Sequence, residues 1–491
     1  MRRPEDGPKL SADPEGESRR IMSQAETTAA AASGPPEAVS PRTRLLLEGP
    51  VTPTLLRLAF PNFGEAAARV AFISFDAVFI GWIGTDALAG VSLVFPIFLL
   101  MQTMSASGLG AGTAASIGAA LGAGRTREAA GIAAHAVMLA LIVAAGAGAI
   151  MIGLGPEIFR ALGAEGAALE AAVTYSAIVF GGIALVWLMN LTANAVRGMG
   201  IMTVPAGAIV AGEAVHLMLS PVLILGLGPF EPMGVVGAAI ALLATYGVGA
   251  LILLVYLFSG RGLFRLTAAD FRPARRHFGA ILKIGVLASL NTIQLQATFL
   301  GLTSLFALFG PAALAGFGAA NRLELLQIPI TFGVGSAVIA MIATNAGAGL
   351  QDRVRAIAWA GCGISALIGL VFAGVAILLP EGWMRLFSDE PAVVAAGAAY
   401  LRAMGPTLPV MGFAFGLFFA LLGVGSAIWP FLAGALRLAL ALGVGALVAQ
   451  RAGGGIDELS LAAAGAGLAF AAAMVLSGRR LLWSRAASAP A

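Results

Sequence analysis

The sequence predicts an all-α membrane protein, with twelve transmembrane helices arranged as two parallel six-helix repeats, an N-lobe and a C-lobe. Three observations predict it: long apolar blocks, a one-sided distribution of arginine, and a match of the chain with itself at a shift near 225 residues. Of 491 residues, 59% are hydrophobic and 11% charged, where a soluble domain carries roughly a quarter charged. A mean hydropathy of +0.92 leaves too little polar surface for water. Most apolar blocks reach the ~20 residues a helix needs to cross ~30 Å of hydrocarbon. The short alternating strands of a membrane barrel are missing from the pattern. The 65 glycines suit helices that approach closely in lipid, where small residues line the contacts.

The spans fall near 53–81, 86–119, 128–154, 168–195, 202–226, 235–258, 280–308, 312–346, 354–379, 392–421, 428–449 and 459–477. Residues 1–48 mix Pro, Gly, Ser, Ala and charges without apolar periodicity, and read as a disordered tail with no signal-peptide core behind MRRPEDG. Residues 49–258 form the first lobe, 259–278 a basic linker, 279–478 the second lobe and 479–491 a C-terminal tail. The linker carries Arg261, Arg265, Arg272, Arg275, Arg276 and His277. On the same face lie Arg42, Arg44, Arg125, Arg127, Arg197, Arg353, Arg355, Arg479, Arg480 and Arg485; the opposite loops hold Arg160, Arg385 and Arg451 among many acids. Positive charge stays inside, so both termini are expected in the cytoplasm, across a bacterial inner membrane. The net charge of +4 thus serves orientation, and no nucleic-acid partner is expected. A monomer embedded in lipid is expected.

The repeat keeps loops and punctuation in register. IGTDALAG (83–90) overlies FGPAALAG (309–316), and GLGAG…LGAGRTRE (108–128) overlies GVGSA…AGAGLQDR (333–353). Pro156-Glu157 returns as Pro380-Glu381, Tyr175 as Tyr400, and RGMGIMTVP (197–205) as GVGSAIWP (423–430). Six helices per copy give both copies one orientation. Parallel repeats of this kind build transporters whose site lies near the bilayer midplane. Enzyme chemistry is not expected: there is no Ser-His-Asp, metal or phosphate-loop constellation, and GVGSA and LGAGR lack the Lys-Ser/Thr ending. No cofactor or metal is expected. The single Cys362 excludes an intrachain disulfide and reads as a packing residue.

Ionisable residues inside spans mark candidate sites, because each costs about 2.5–3.5 kcal/mol on insertion scales. The first span holds Glu65, Arg69 and Asp76, which lie within about 40° of one line at 100° per residue. Glu65 and Arg69, spaced i,i+4, are read as a structural ion pair, with Glu65 also a candidate for the transported ion. Asp76 has no opposite charge within a turn and is the leading proton- or cation-coupling residue. Glu213, His216 and Ser220 form a second stripe on the fifth span, Glu213 and His216 as coupling candidates. Asn190 and Asn194 in the fourth span, Ser220, and Asn291 and Gln294 in the seventh are candidates to line the cavity. His135 reads as packing. Arg322 and Glu324, 200° apart on a helix, need separate partners, and Arg402 and Arg437 also fall near mid-span.

LAFPNFGE…FDAVFIGWIGTDALAGVSLVFP, LGAGRTREA, RGMG, GVVGAAIA and AANRLELLQIPITFGVG together resemble the multidrug and toxic compound extrusion (MATE) family over residues 50–450. The resemblance implies an antiporter exporting small organic, often cationic, compounds against H⁺ or Na⁺. Asp76 matches the family's first-span Asp, and Asn190 an Asn of its N-lobe cation site. The fifth-span Asn and Asp of that site are His216 and Ser220 here. The C-lobe acids of other members find no match, and 408–426 contains no acid, so that lobe is expected to be uncharged where those members are acidic. Sodium needs converging oxygens. A set of protonatable groups instead favours H⁺ as the coupling ion. The alternative within the superfamily is a lipid-linked sugar flippase or polysaccharide exporter, which twelve spans and Asp76 disfavour.

Overall fold

A computed structural model describes residues 40–451 and 454–483, with the side chains of 69–78, 80 and 480 outside the described set. A short helix, α1 (Pro41–Glu48), precedes the spans. The first lobe contains α2 (Val51–Gly81), α3 (Thr85–Thr103), a π-helical segment (Met104–Leu109), α4 (Gly110–Gly122), α5 (Thr126–Ala161), α6 (Gly166–Gly181), α7 (Ile183–Gly198), α8 (Thr203–Leu225) and α9 (Gly234–Ser259). The second contains α10 (Arg275–Ala307), α11 (Pro311–Gly347), α12 (Gln351–Leu378), α13 (Pro380–Met384), α14 (Pro391–Met404), α15 (Leu408–Gly423), α16 (Ile428–Gln450) and α17 (Ile456–Trp483). Among the described residues ten spans qualify for the bilayer by length and hydropathy, and α6–α7, bent by 46°, make an eleventh. The charge-bearing α2 completes the twelve.

Each lobe breaks its fourth span at the same place. In the first the chain turns at Gly182, and in the second at the 3-10 segment Gly405–Thr407, about 225 positions on. Glycine neighbours repeat with the same arithmetic. Gly198 packs on Ala114 and Ile117 while Gly423 packs on Ile339 and Ile342; Gly110 meets Asn194 while Gly335 meets Phe419. Every one of these pairs is related by a shift of 225.

The lobes touch through the most reciprocal of these contacts. A Cβ on Gly122 would lie 1.9 Å from the Thr344 carbonyl oxygen, and one on Gly347 would lie 2.1 Å from that of Ala119. The same shift carries Gly122 onto Gly347 and Ala119 onto Thr344. Gly118 and Ala343, which are each other's equivalents, meet on the pseudo-twofold axis between them. α4 and α11 therefore close one end of the molecule backbone to backbone, as small residues allow in lipid. Gly108 on Ser289 and Gly333 on Asn62 extend the closure, and Asn62 donates to the Gly333 carbonyl and the Ser336 hydroxyl at 2.9 Å each.

Residues 41–48, expected to end a disordered tail, form α1 on this closed end instead. Its buried Leu46 fills the space beside Gly200. Asn345 donates to the Leu46 carbonyl at 3.0 Å and Arg353 to that of Gly49 at 2.8 Å. Two side chains of the second lobe thus satisfy carbonyls a helix end leaves open. Residues 1–39 of the expected tail, and 484–491 of the expected C-terminal one, lie outside the described residues.

The basic linker is pinned by a histidine that does more than pack. The Ala274 amide donates to His135 Nε2 at 2.8 Å, and His135 Nδ1 lies 2.7 Å from the Gly131 carbonyl. A backbone amide can only donate and a carbonyl only accept. Nδ1 is therefore the donor of the ring and Nε2 the acceptor. Arg276 and Arg125 converge on Glu128 at 2.9 and 2.7 Å, tying the linker to the start of α5.

Candidate functional site

Glu65 faces the interior of its lobe, as the stripe on the first span predicts, and its carboxylate meets Arg197 of α7 at 2.6 Å. Both side chains are largely buried, 13% and 6% exposed. Arg197, counted above among loop arginines, is a buried residue in the last turn of α7. The expected i,i+4 partner, Arg69, is not among the described side chains; the partner found among those described is on another helix, invisible to periodicity. The side chains of Arg69 and Asp76 lie outside the described residues.

Glu213, His216 and Ser220 are all buried on α8, which packs against α2. The i, i+3, i+7 spacing of this stripe is what places all three inside. Gly212 beside them admits no side chain, since its Cβ would stand 2.5 Å from the Thr245 carbonyl oxygen.

Asn190 and Asn194 brace the π-helical segment. Asn190 Nδ2 donates to the Ser105 hydroxyl at 2.7 Å and weakly to the Gln102 carbonyl at 3.4 Å; Asn194 Nδ2 donates to the Ala106 carbonyl at 3.1 Å. A π turn inserts a residue and loosens the i to i−4 ladder, so its carbonyls need outside donors. Expected as cavity residues, the two asparagines are given a bracing role by these bonds. Replacing Asn190 by Leu is expected to cost about 1 kcal/mol through the lost bond to the Ser105 hydroxyl, which keeps its own bond to the Gln102 carbonyl at 2.8 Å, read as a loss of thermal stability in detergent. An unchanged melting point would mean the segment holds itself.

A cavity of about 160 Å³ lies between the lobes and against the second. The first lobe contributes Thr103 and Ser107, presented by the π-helical segment and the turn before it. α10 contributes Asn291, and α11 contributes Glu324 and Gln327. Arg437 enters from α16, and Met404, Met411, Phe415, Phe418 and Phe419 form an apolar wall from α14 and α15. These residues sit near the middle of their spans, close to the expected midplane.

The mid-span charges Glu324 and Arg437 thus give the C-lobe cavity a carboxylate and a guanidinium. Glu324 accepts the Tyr400 hydroxyl at 2.7 Å. The Tyr400 ring is held edge-on by Phe317 at 5.1 Å and Phe306 at 5.8 Å, which fixes where its hydroxyl points. Arg322 faces away, 4.9 Å over the Phe387 ring, in keeping with the 200° separation. Arg402 reaches Glu381 of α13. Arg437 borders both this cavity and a smaller one beside Gln294, and no carboxylate among the described residues lies within 4.0 Å of it. Asn291 lines the cavity, its Nδ2 donating to the Pro430 carbonyl at 3.0 Å, with Gln294 beside it. The amide pair fits because position 434 is glycine: a Cβ there would fall 2.4 Å from Gln294 Oε1. Among the described residues no cluster of acids, histidines or cysteine has metal-holding geometry.

The family model described as MatE matches residues 66–222 and again 288–447, once per lobe. The chain is 28% identical over 310 residues to a protein named FAD transporter from Shewanella oneidensis, covering 63% of this chain and 68% of that one. It is 25% identical over 406 residues to the multidrug export protein MepA of Staphylococcus aureus, covering 79% and 86%. A solved MOP superfamily transporter from Pyrococcus furiosus superposes with a TM-score of 0.84 at 24% identity, over 91% of this chain and all of that one.

Proposed function

Because the chain belongs to the MatE family of membrane transporters, we propose that it is a proton-coupled exporter of small organic compounds, working by alternating access. The observation that carries the reading is the mid-span cavity between lobes whose closure at one end rests on reciprocal glycine contacts. A seal without interlocking side chains is one two rigid lobes can open and remake. Relatives named for multidrug export support the substrate class. An apolar wall of Met and Phe suits varied ring systems, since methionine adapts its shape to what it touches.

In this reading Asp76 of α2, with Glu213 and His216 on the adjoining α8, takes up and releases the proton. Helix α8 offers an imidazole and a hydroxyl where a sodium cage would want carboxylate and amide oxygens. The arginine-rich loops put both termini in the cytoplasm of a bacterial cell, by the positive-inside rule. The closed end, which carries α1 and the loops after α4 and α11, is then the cytoplasmic one, and this conformation faces outward.

The test is dye efflux from proteoliposomes. Transport is expected under a pure pH gradient without sodium and is expected to vanish in Asp76→Asn, which keeps the shape and removes the titratable charge. Robust transport under a sodium gradient at one pH, with none under a proton gradient, would reverse the coupling assignment. Wild-type rates in Asp76→Asn would remove that residue from the mechanism.

A further inference from the structure

Arg437 sets the charge preference of the cavity, and we infer that the second lobe carries a subsite for the anionic group of an amphipathic aromatic compound, a carboxylate or phosphate on a ring system. The inference rests on the cavity being the transport site. It departs from the cationic substrates that the family resemblance implies.

The guanidinium stands near the middle of α16, in a lobe otherwise walled by methionine and phenylalanine. A lysine there could lose its proton, but arginine stays charged at any physiological pH. Its charge has to be met, and among the described residues no carboxylate lies within 4.0 Å. The nearest candidate, Glu324, already accepts the Tyr400 hydroxyl, and an aromatic clamp holds that tyrosine in place. The planar five-donor fork matches a carboxylate or phosphate two bonds at a time. Asn291 and Gln294 flank it with amides, and Phe415 borders both cavities on its apolar side. A polar anchor beside an aromatic wall is the layout that orients a ring bearing one charged group.

The repeat sharpens the point. The first-lobe equivalent of Arg437, 225 positions earlier, is Gly212. There the Thr245 carbonyl fills the space, and the neighbouring residue is the acid Glu213. The two lobes share a backbone plan but differ in charge at this turn, so one favours cations or protons and the other an anion.

Two probes of equal ring size separate the possibilities: 2-naphthoate and 2-naphthylmethylammonium, titrated by intrinsic fluorescence into the full-length protein in nanodiscs. The anion is expected to bind at least tenfold more tightly than the cation. Arg437→Gln should lose that tenfold for the anion alone, and Arg437→Lys should recover part of it. Glu324→Gln should tighten anion binding by removing a like charge. Preference for the cation in the wild type, or anion affinity unmoved in Arg437→Gln while Arg437→Lys and the wild type stay folded, overturns the inference and leaves the transport reading standing. If neither ring binds, the cavity is not the transport site and both readings fail. If Arg437 only balances Glu324 through water, the double variant should regain stability lost by Arg437→Gln with ligand affinities unchanged, which also overturns it.

Discussion

Glu65→Gln is expected to destabilise the protein by about 3–5 kcal/mol, the cost of leaving one member of a buried ion pair without its opposite charge. The penalty comes from Arg197. Its side chain is 6% exposed, it cannot shed its proton, and among the described residues no other acid pairs with it. The double variant Glu65→Gln, Arg197→Met removes both charges and should recover most of the loss, because apolar replacements of a buried pair are often neutral. A thermal-unfolding cycle over the four proteins measures the coupling directly. If Glu65→Gln melts like the wild type yet fails to transport, the carboxylate serves the ion or substrate, and its contact with Arg197 is incidental to stability.

Adding one methyl group to the lobe seal should shift the whole transporter toward its opposite conformation. In Gly122→Ala the new Cβ would stand 1.9 Å from a backbone oxygen of the other lobe, a clash that no rotamer can relieve. Overpacking of this kind costs about 1–3 kcal/mol, enough to change a two-state population about 5- to 150-fold. The penalty falls only on the closed arrangement, so folding survives and the equilibrium moves. Gly347→Ala, its repeat equivalent, should do the same. Gly146→Ala in α5, with nothing within 4 Å, is the control and should leave the equilibrium unchanged. Spin labels at Arg127 and Gln351, both exposed on the loop sides of the seal, read the separation of the lobes, with the buried Cys362 replaced by Ala. A longer mean distance in both variants is the expected result. An unchanged distance distribution would mean that the lobes do not part at this contact.

The fold was legible in the sequence because each of its causes is local or periodic. Apolar block length gives the spans, turn glycines mark the loops, and a repeat shift of 225 survives in the glycines, prolines and tyrosines that the backbone needs. Even the separate fates of Arg322 and Glu324 followed from 100° per residue. The tail reading went astray at 41–48 for the same reason. Eight residues with few apolar positions show no periodicity of their own, and α1 is held by Asn345 and Arg353 from about 300 positions away.

What the sequence by itself determined is the architecture and the inventory of charges that must be accounted for inside the bilayer: Glu65, Arg69, Asp76, Glu213, Glu324 and Arg437. What only the tertiary structure decided is their pairing. Glu65 meets Arg197 from a helix 132 positions away, Glu324 meets Tyr400, and Arg437 is left facing a cavity. The reason is physical. Helical periodicity fixes the direction in which a side chain points along its own axis, while the identity of its neighbour depends on how helices far apart in sequence are packed, which in lipid is set by the close approach of small residues.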